Sequence, residues 1–413
     1  MYDFGIWVYY FGIWLASFFS KKAKLWVEGR KDVFSKIKSQ VTDNQPIIWF
    51  HCASLGEFEQ GRPLIEKIKK TLPEHKILLT FFSPSGYEIR NNYEQADYVF
   101  YLPLDTKKNA KKFLEIVQPK MVFFVKYEFW FNYLHQLNQR KIPIYLISSI
   151  FRKDQIFFKS YGSFFKKMLF FFDHIFVQNE KSKILLLENG VTHLSVAGDT
   201  RVDRVLETCL TARQVQKNKP SFDKINIFKG TAEILIGGST WPPDEDILIE
   251  WIHAQKDFRW KFIIAPHDIS ESHLAEIEKK LNINTVRFSK ANAFNSAAAK
   301  VMIIDNIGML SSLYQYGKIA LIGGGFGSGI HNTLEPIAFG LPVIFGKKYQ
   351  KFEEAINLIE TGGGFSISNY DEFKHVMKDL EKDSFYNNAS TNAKNYILEN
   401  QGATEEIFNF VFT

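Results

Sequence analysis

Two glutamates stand where a reaction would need them. Glu57 lies in HCASLGEFEQGRPL, residues 51–64, directly after a short apolar run at 47–50, with Ser54 and Gly56 in the same turn. A strand is expected to end there and a helix to begin, and a carboxylate held over a sheet end can take the proton of a hydroxyl as general base. The structural role open to Glu57 is to favour the helix N-terminus, for less than about 1 kcal/mol. Glu128, in KYEFW, follows the run at 121–125 in the same way, so two sheet ends each present a carboxylate. The turn TFFSPSGYE at 80–88 adds Ser83 and Ser85 at a third sheet end. A serine so placed either meets a ligand or caps the next helix, the cap contributing about 1 kcal/mol.

A different chemistry is expected of GGGFGSGIHNTLEPIAFGLPVIFG, residues 323–346. An apolar run enters a glycine-rich turn that includes Gly324 and Gly325, and a helix is expected to start near Asn332. Free backbone N–H groups and the positive end of a helix would then face an anion, a phosphate above all. Glu335, one turn into that helix, is placed to accept both hydroxyls of a ribose. The other reading is a turn needed only for close packing, with Glu335 a solvated acid. The spacing is neither that of a Walker loop nor that of a dinucleotide fingerprint.

Other patterns exclude chemistry. Asp244, Glu245 and Asp246 have the letters of a metal-binding D-x-D, but they follow Pro242 and Pro243 at a helix start, where acids suit the dipole. The ten histidines show no metal spacing, and His51, His267 and His331 each stand alone at a sheet end. No metal and no other cofactor is expected, and no G-x-S-x-G elbow supports a serine hydrolase.

The elements that must position these residues are those of an α/β protein. At 413 residues the chain exceeds one ordinary domain core. From Pro46 onward short runs rich in Ile, Val and Phe alternate with amphipathic stretches, as in βα units around parallel sheets. The first series of strands is expected at 47–50, 77–82, 121–125, 144–148 and 175–177. Helices at 58–72 and 108–117 are stopped by Pro73 and Pro119. The second series is expected at 234–237, 262–265, 285–288, 301–304, 319–322 and 342–345. The reading is therefore two Rossmann-like doubly wound domains facing a cleft at the carboxyl ends of both sheets, where ligands of such sheets bind. Their bounds are 45–205 and 231–395, joined by a polar linker at 206–230 and followed by a C-terminal helix at 396–413 able to cross back to the first domain.

Composition narrows the partners. Lysine and arginine number 51 against 45 acids, a net charge of +6, too mild to argue for a nucleic acid polymer but suited to an anionic membrane surface. Two cysteines, Cys52 and Cys209, fit a reducing compartment. Residues 6–19, IWVYYFGIWLASFF, are apolar and aromatic, with Lys21, Lys22 and Lys24 after them. A signal peptide carries its positive charge before the apolar run, so residues 1–24 read as a retained anchor, either interfacial or marginally spanning. The basic residues would keep the rest of the chain on the cytoplasmic face of an inner membrane. The other reading of the segment is a hydrophobic helix packed on a domain.

With these stretches in view, the chain resembles the Kdo (3-deoxy-D-manno-octulosonic acid) transferases of lipopolysaccharide biosynthesis. The likeness spans HCASLGEFEQGRPLI, TFFSPSGYE, YLPLD, Glu128-Phe129-Trp130, GDTRVDR, GGSTWPPDEDIL, HNTLEPIAFGLPVIFG and a trailing Phe352. It implies the two-Rossmann glycosyltransferase architecture called GT-B and an inverting transfer of Kdo from CMP-Kdo to the 6'-hydroxyl of a lipid A precursor. On that resemblance Glu57 is the base, Glu128 is also required, and Arg201 joins the acceptor and sugar contacts with Ser54, Gly56, Ser83 and Ser85. The nucleotide falls to Gly238, Ser239, Thr240, His267, Gly324, Gly325, His331, Asn332 and Glu335. This sequence departs from the family pattern at Lys126-Tyr127, at Ala265-Pro266-His267-Asp268, at Ser148 to Arg152 and at Arg201. Two rival readings are a GT-B transferase using another nucleotide sugar and a membrane-bound sugar-nucleotide binder without turnover.

Overall fold

Parallel strands covered on both faces must be apolar along nearly their whole length, and those of this chain are. In the computed structural model, which describes residues 2–42, 45–215, 223–255 and 259–413, they form two sheets. The first contains β1 (Ile47–Cys52), β2 (Lys76–Phe81), β3 (Tyr98–Tyr101), β4 (Met121–Val125), β5 (Ile144–Ser149), β6 (His174–Val177) and β7 (Leu194–Val196). It is parallel throughout, in the order β3-β2-β1-β4-β5-β6-β7. The second contains β8 (Glu233–Thr240), β9 (Trp260–Pro266), β10 (Thr285–Arg287), β11 (Val301–Ile303), β12 (Ile319–Ile322), β13 (Val343–Gly346) and β14 (Gly364–Ile367). Its order is β10-β11-β9-β8-β12-β13-β14, again all parallel. In each sheet the first strand in sequence lies inside, with the next strand on one side and a later one on the other. That reversal is the switch point at which doubly wound sheets bind ligands, β1/β4 in one sheet and β8/β12 in the other.

The alternation of side chains sets the two cores of the first sheet. Trp49, Leu78, Val122, Phe124 and Leu146 enter one cluster, while Ile48, Phe50, Leu79, Phe123 and Val125 enter the other. The chain divides into a unit of Met1–Arg204 with Gln401–Thr413 and a unit of Val205–Asn400. The C-terminal helix Ala403–Phe412 belongs to the first unit, where Ile407 and Phe408 pack in the cluster of Phe58 and Leu64. Of the linker expected at 206–230, residues 216–222 lie outside the described residues. On either side the chain is helical, Thr200–Val215 and Asp223–Lys229. Val202, Val205 and Cys209, all buried, recur at the spacing of one helix face, which is why this stretch is not an irregular connection.

The apolar N-terminal segment forms the helix Tyr2–Ala16, followed by a second helix, Lys21–Glu28. At 15 residues the first is shorter than the roughly 20 that span a bilayer. Among the described residues no helix is long and apolar enough to cross a membrane. Its start is tied to the first unit: the Tyr2 hydroxyl donates to Asp105 at 2.7 Å, and the Asn132 amide donates to Asp3 at 2.7 Å. Tyr9 and Tyr10 lie against the buried Trp26. Phe4, Trp7, Val8, Phe11, Leu15, Phe18 and Phe19 stay exposed.

Candidate active site

At the first switch point β1 ends in Cys52 and the helix Leu55–Thr71 begins, with Ser54 as its N-cap residue. Ser54 makes no side-chain cap bond; its hydroxyl donates to the Glu57 carboxylate instead. Beside it, β4 ends at Val125 and the backbone turns through Lys126, a non-glycine residue at φ 68. Such strain survives only where the surroundings enforce it, and here it brings Glu128 back over the sheet end. Ser148, at the end of β5, is also left-handed (φ 53) and bonds Thr200 through its hydroxyl at 2.8 Å. The two acids share this end of the sheet. Burial pushes the Cys52 thiol well up, and the nearby charges of Glu57 and Glu128 push it further. Burial likewise raises the Tyr127 phenol, Arg152 opposing the shift and Glu57 adding to it.

Glu128 is buried and held at one oxygen. Its Oε2 accepts from Trp130 Nε1 at 2.6 Å and lies 3.0 Å from Nε2 of His51, a fully buried residue of β1. The other His51 nitrogen, Nδ1, is 2.8 Å from Thr80 Oγ1 on β2, which also accepts from Trp49 Nε1 at 2.7 Å. His51 and Thr80, which the sequence shows only as a lone histidine and as a polar residue in the strand expected at 77–82, are thus part of the site's support.

Of the remaining first-unit candidates Ser83, Ser85 and Arg201 are engaged within the protein. Ser83 caps the helix Pro84–Arg90, its hydroxyl accepting from Ser85 N and lying 3.0 Å from the Ser85 hydroxyl. Gly56 is exposed in the first turn after β1. Arg201 forks onto Asp199 Oδ2 at 2.8 and 2.6 Å. Burial raises the Asp199 carboxyl, but Arg201 outweighs it and holds the group below its usual range.

The second switch point collects the other group. β8 runs through Gly238 into Ser239, left-handed at φ 52, and Thr240 where its register against β9 shifts. β12 leads into Gly323 and Gly324 (φ 92), and the Gly324 N–H donates to Asp244 Oδ2 at 3.0 Å. A Cβ on Gly325 would stand 2.5 Å from the backbone nitrogen of Gly346, so only glycine lets this turn lie against the end of β13. His267 stacks on both Trp241 (4.5 Å) and His331 (4.8 Å), which are themselves neighbours: Trp241 Nε1 donates to His331 Nε2 at 3.0 Å. Burial and the neighbouring His267 hold the His331 imidazole below its usual range. Glu335 lies near Tyr314, whose phenol is pushed up by burial first and by Glu335 next.

Two expectations change here. The helix behind the glycine turn is only Leu334–Ala338, five residues, so it offers little dipole to an anion; Gly340, left-handed at φ 81 just after its end, stops it. Asn332 accepts from Leu334 N at 3.0 Å, closing the turn itself. The helix-start acids do more than suit a dipole. Asp244 Oδ2 accepts from Trp241 N as well as Gly324 N, and Glu245 Oε1 accepts from the Thr240 hydroxyl at 3.1 Å and meets His273 Nε2 at 3.1 Å. Both are buried, which raises both carboxyls. Trp241 and Asp244 were absent from the expected site; the sequence shows Trp241 only as part of GGSTWPPDEDIL and Asp244 as a helix-start acid. Among the described residues no group of three His, Cys, Asp or Glu side chains could hold a metal ion.

Two parallel doubly wound sheets, each with its polar groups at the switch point, define a GT-B type of protein. Solved structures agree on the fold: UDP-GlcNAc 2-epimerase of Neisseria meningitidis superposes with a TM-score of 0.64 at 16% identity, over 88% of this chain and 99% of that one. Residues 28–204 match the family model described as 3-deoxy-D-manno-octulosonic-acid transferase (kdotransferase). A 3-deoxy-D-manno-octulosonic acid transferase of Aquifex aeolicus is 28% identical over 351 residues, 83% of this chain and 88% of that protein. Its counterpart in Haemophilus influenzae is 26% identical over 381 residues, 88% and 86% of the two chains. The chain is thus similar to Kdo transferases, through a family model over residues 28–204 and through relatives that cover most of its length.

Proposed function

We propose that this chain moves Kdo from CMP-Kdo to the 6'-hydroxyl of a lipid A precursor with inversion at the anomeric carbon. Glu57 takes the hydroxyl proton, the acceptor oxygen bonds to the anomeric carbon of Kdo, and the bond to the CMP phosphate breaks with its electron pair leaving on CMP. Glu57 is half-buried with one hydroxyl donor, which leaves it able to meet a substrate hydroxyl. Glu128, fixed at Oε2, is the second carboxylate of the reaction. The turn at Gly238–Thr240, the Gly324–Gly325 turn and the Trp241–His267–His331 stack are the groups proposed to hold the nucleotide, with Glu335 for the ribose.

The observation that carries the reading is the pair of carboxylates flanking β1/β4 in the unit that matches the Kdo-transferase model. We further propose that the exposed aromatic face of the helix Tyr2–Ala16, with Lys21, Lys22 and Lys24 after it, lies in the surface of an anionic inner membrane on its cytoplasmic side. The test is incubation with CMP-Kdo and a tetra-acylated lipid A precursor, followed by mass spectrometry. A product heavier by Kdo units, with CMP released, is expected. No product from CMP-Kdo, or transfer from a UDP- or GDP-sugar instead, overturns the reading.

A further inference from the structure

The network behind Glu128 has a direction that its hydrogen count determines. An indole N–H can only donate, so Trp49 occupies one lone pair of Thr80 Oγ1. The threonine's single proton then has two acceptors in reach, His51 Nδ1 at 2.8 Å and the Phe50 carbonyl at 3.4 Å. The shorter contact takes it. His51 Nδ1 is therefore the bare nitrogen and Nε2 carries the hydrogen, aimed at Glu128 Oε2 at 3.0 Å. Trp130 Nε1 lies 3.1 Å from His51 Nε2 but only 2.6 Å from Glu128 Oε2, so its hydrogen also goes to the carboxylate. The opposite tautomer would set a lone pair of Nε2 against a carboxylate oxygen in a fully buried place, an arrangement buried polar groups avoid.

We infer that His51 is a positioning residue for the reaction: as the Nε2–H tautomer set by the Trp49–Thr80 pair, it clamps Oε2 of Glu128, together with Trp130, and fixes the orientation of that carboxylate. This inference rests on the role proposed for Glu128. The clamp costs no reorganisation when substrate arrives, because Trp49, His51, Thr80 and Glu128 are buried, Trp130 is partly buried, and each lies on a strand or in the turn after one. One oxygen is held by two N–H donors, and Oε1 takes part in none of these bonds.

Two variants separate the clamp from mere packing. In His51→Gln the side-chain nitrogen sits as many bonds from the backbone as Nε2 and can still donate to Glu128. In His51→Asn the shorter amide reaches the Nδ1 position and Thr80 but not Glu128. Steady-state rates and thermal melting are read for both, beside Glu128→Gln. His51→Asn is expected to lower kcat about tenfold to a hundredfold, the worth of a hydrogen bond to a charged group, with KM for the donor little changed. His51→Gln should recover kcat to within about threefold. In the Glu128→Gln background His51→Asn should cost nothing further. Equal losses in both variants, tracking melting temperature, overturn the inference. Near-native activity of Glu128→Gln would instead remove the parent reading of Glu128, and the two failures are thereby distinct. A second readout needs no activity: nitrogen-15 histidine spectra of the intact protein should show His51 with Nδ1 bare and Nε2 protonated. The reverse tautomer refutes the inference even if every variant fails to fold.

Discussion

Replacing Glu57 with glutamine separates the two roles open to a glutamate in the first turn of a helix. As a structural acid Glu57 stands three residues after the N-cap Ser54, where its charge favours the helix N-terminus by about 0.3–1 kcal/mol. The glutamine carbonyl can still accept the Ser54 hydroxyl, the bond that Glu57 takes. Loss of stability should therefore stay under about 1 kcal/mol. As a general base Glu57 contributes about a hundredfold to ten-thousandfold, which glutamine cannot supply. At 1.36 kcal/mol per tenfold this is roughly 2.7–5.4 kcal/mol of barrier. The catalytic effect thus exceeds the structural one at least about threefold in free energy, and the two are measured separately.

The assay is the initial rate of Kdo transfer by mass spectrometry, with melting temperature and CMP affinity by calorimetry on the same preparation. Transfer should fall at least about a hundredfold, while melting shifts little and CMP still binds, since the groups proposed for the nucleotide belong to the second sheet. A rate near that of the parent protein removes Glu57 from the mechanism. A loss of rate matched by a loss of melting temperature returns it to the helix cap.

Three further outcomes follow from the packing. Gly325→Ala should lower stability by about 1–3 kcal/mol, because the added methyl meets Gly346 backbone at 2.5–2.7 Å, and should weaken CMP binding in calorimetry; an unchanged melting curve would show the turn to be adjustable. The Asp105 carboxyl is held at about 6, raised by burial against hydrogen bonds from Tyr2 and from the Asn132 and Tyr133 amides. Its folded value lies above the unfolded value of about 3.9, so the folded state keeps the proton longer; the contribution of this group to stability is greatest below about pH 4 and falls as pH rises through about 6, by roughly 3 kcal/mol in all. Asp105→Asn should flatten that slope in melting curves between those two pH values, and an unaltered slope contradicts the assignment. Deleting residues 1–19 should abolish flotation with anionic vesicles at high salt and leave a folded chain, since no strand is removed, but one that melts lower because Asp105 and Asn132 lose Tyr2 and Asp3; undiminished flotation would place membrane contact elsewhere.

How far the sequence could be read depends on where each element lies. The strands visible as apolar runs include every inner strand of both sheets, because strands covered on two faces admit hardly any polar residue. Those missed, β3, β7 and β14, are all edges. β7 is three half-buried residues, Leu-Ser-Val, and nothing in its letters distinguishes it from a loop. Glu57 and Glu128 were legible because each follows an inner strand at a switch point, a place chain order alone marks. Their support was not. A polar residue within a strand buried on both faces has to find a partner, so His51 in IIWFHC and Thr80 in KILLTF each announce that one exists. Which partner depends on register: β1 against β2 sets His51 opposite Thr80, and β1 against β4 sets it opposite Phe124, four residues before Glu128. Residues 29 and 77 positions apart meet only once three strands are paired. The same holds for Asp244, whose letters fit a helix start completely and whose second bond, to a glycine 80 residues on, exists only because β8 and β12 are neighbours. Sequence patterns report what each segment requires of its surroundings, and the pairing of strands determines which distant segment supplies it.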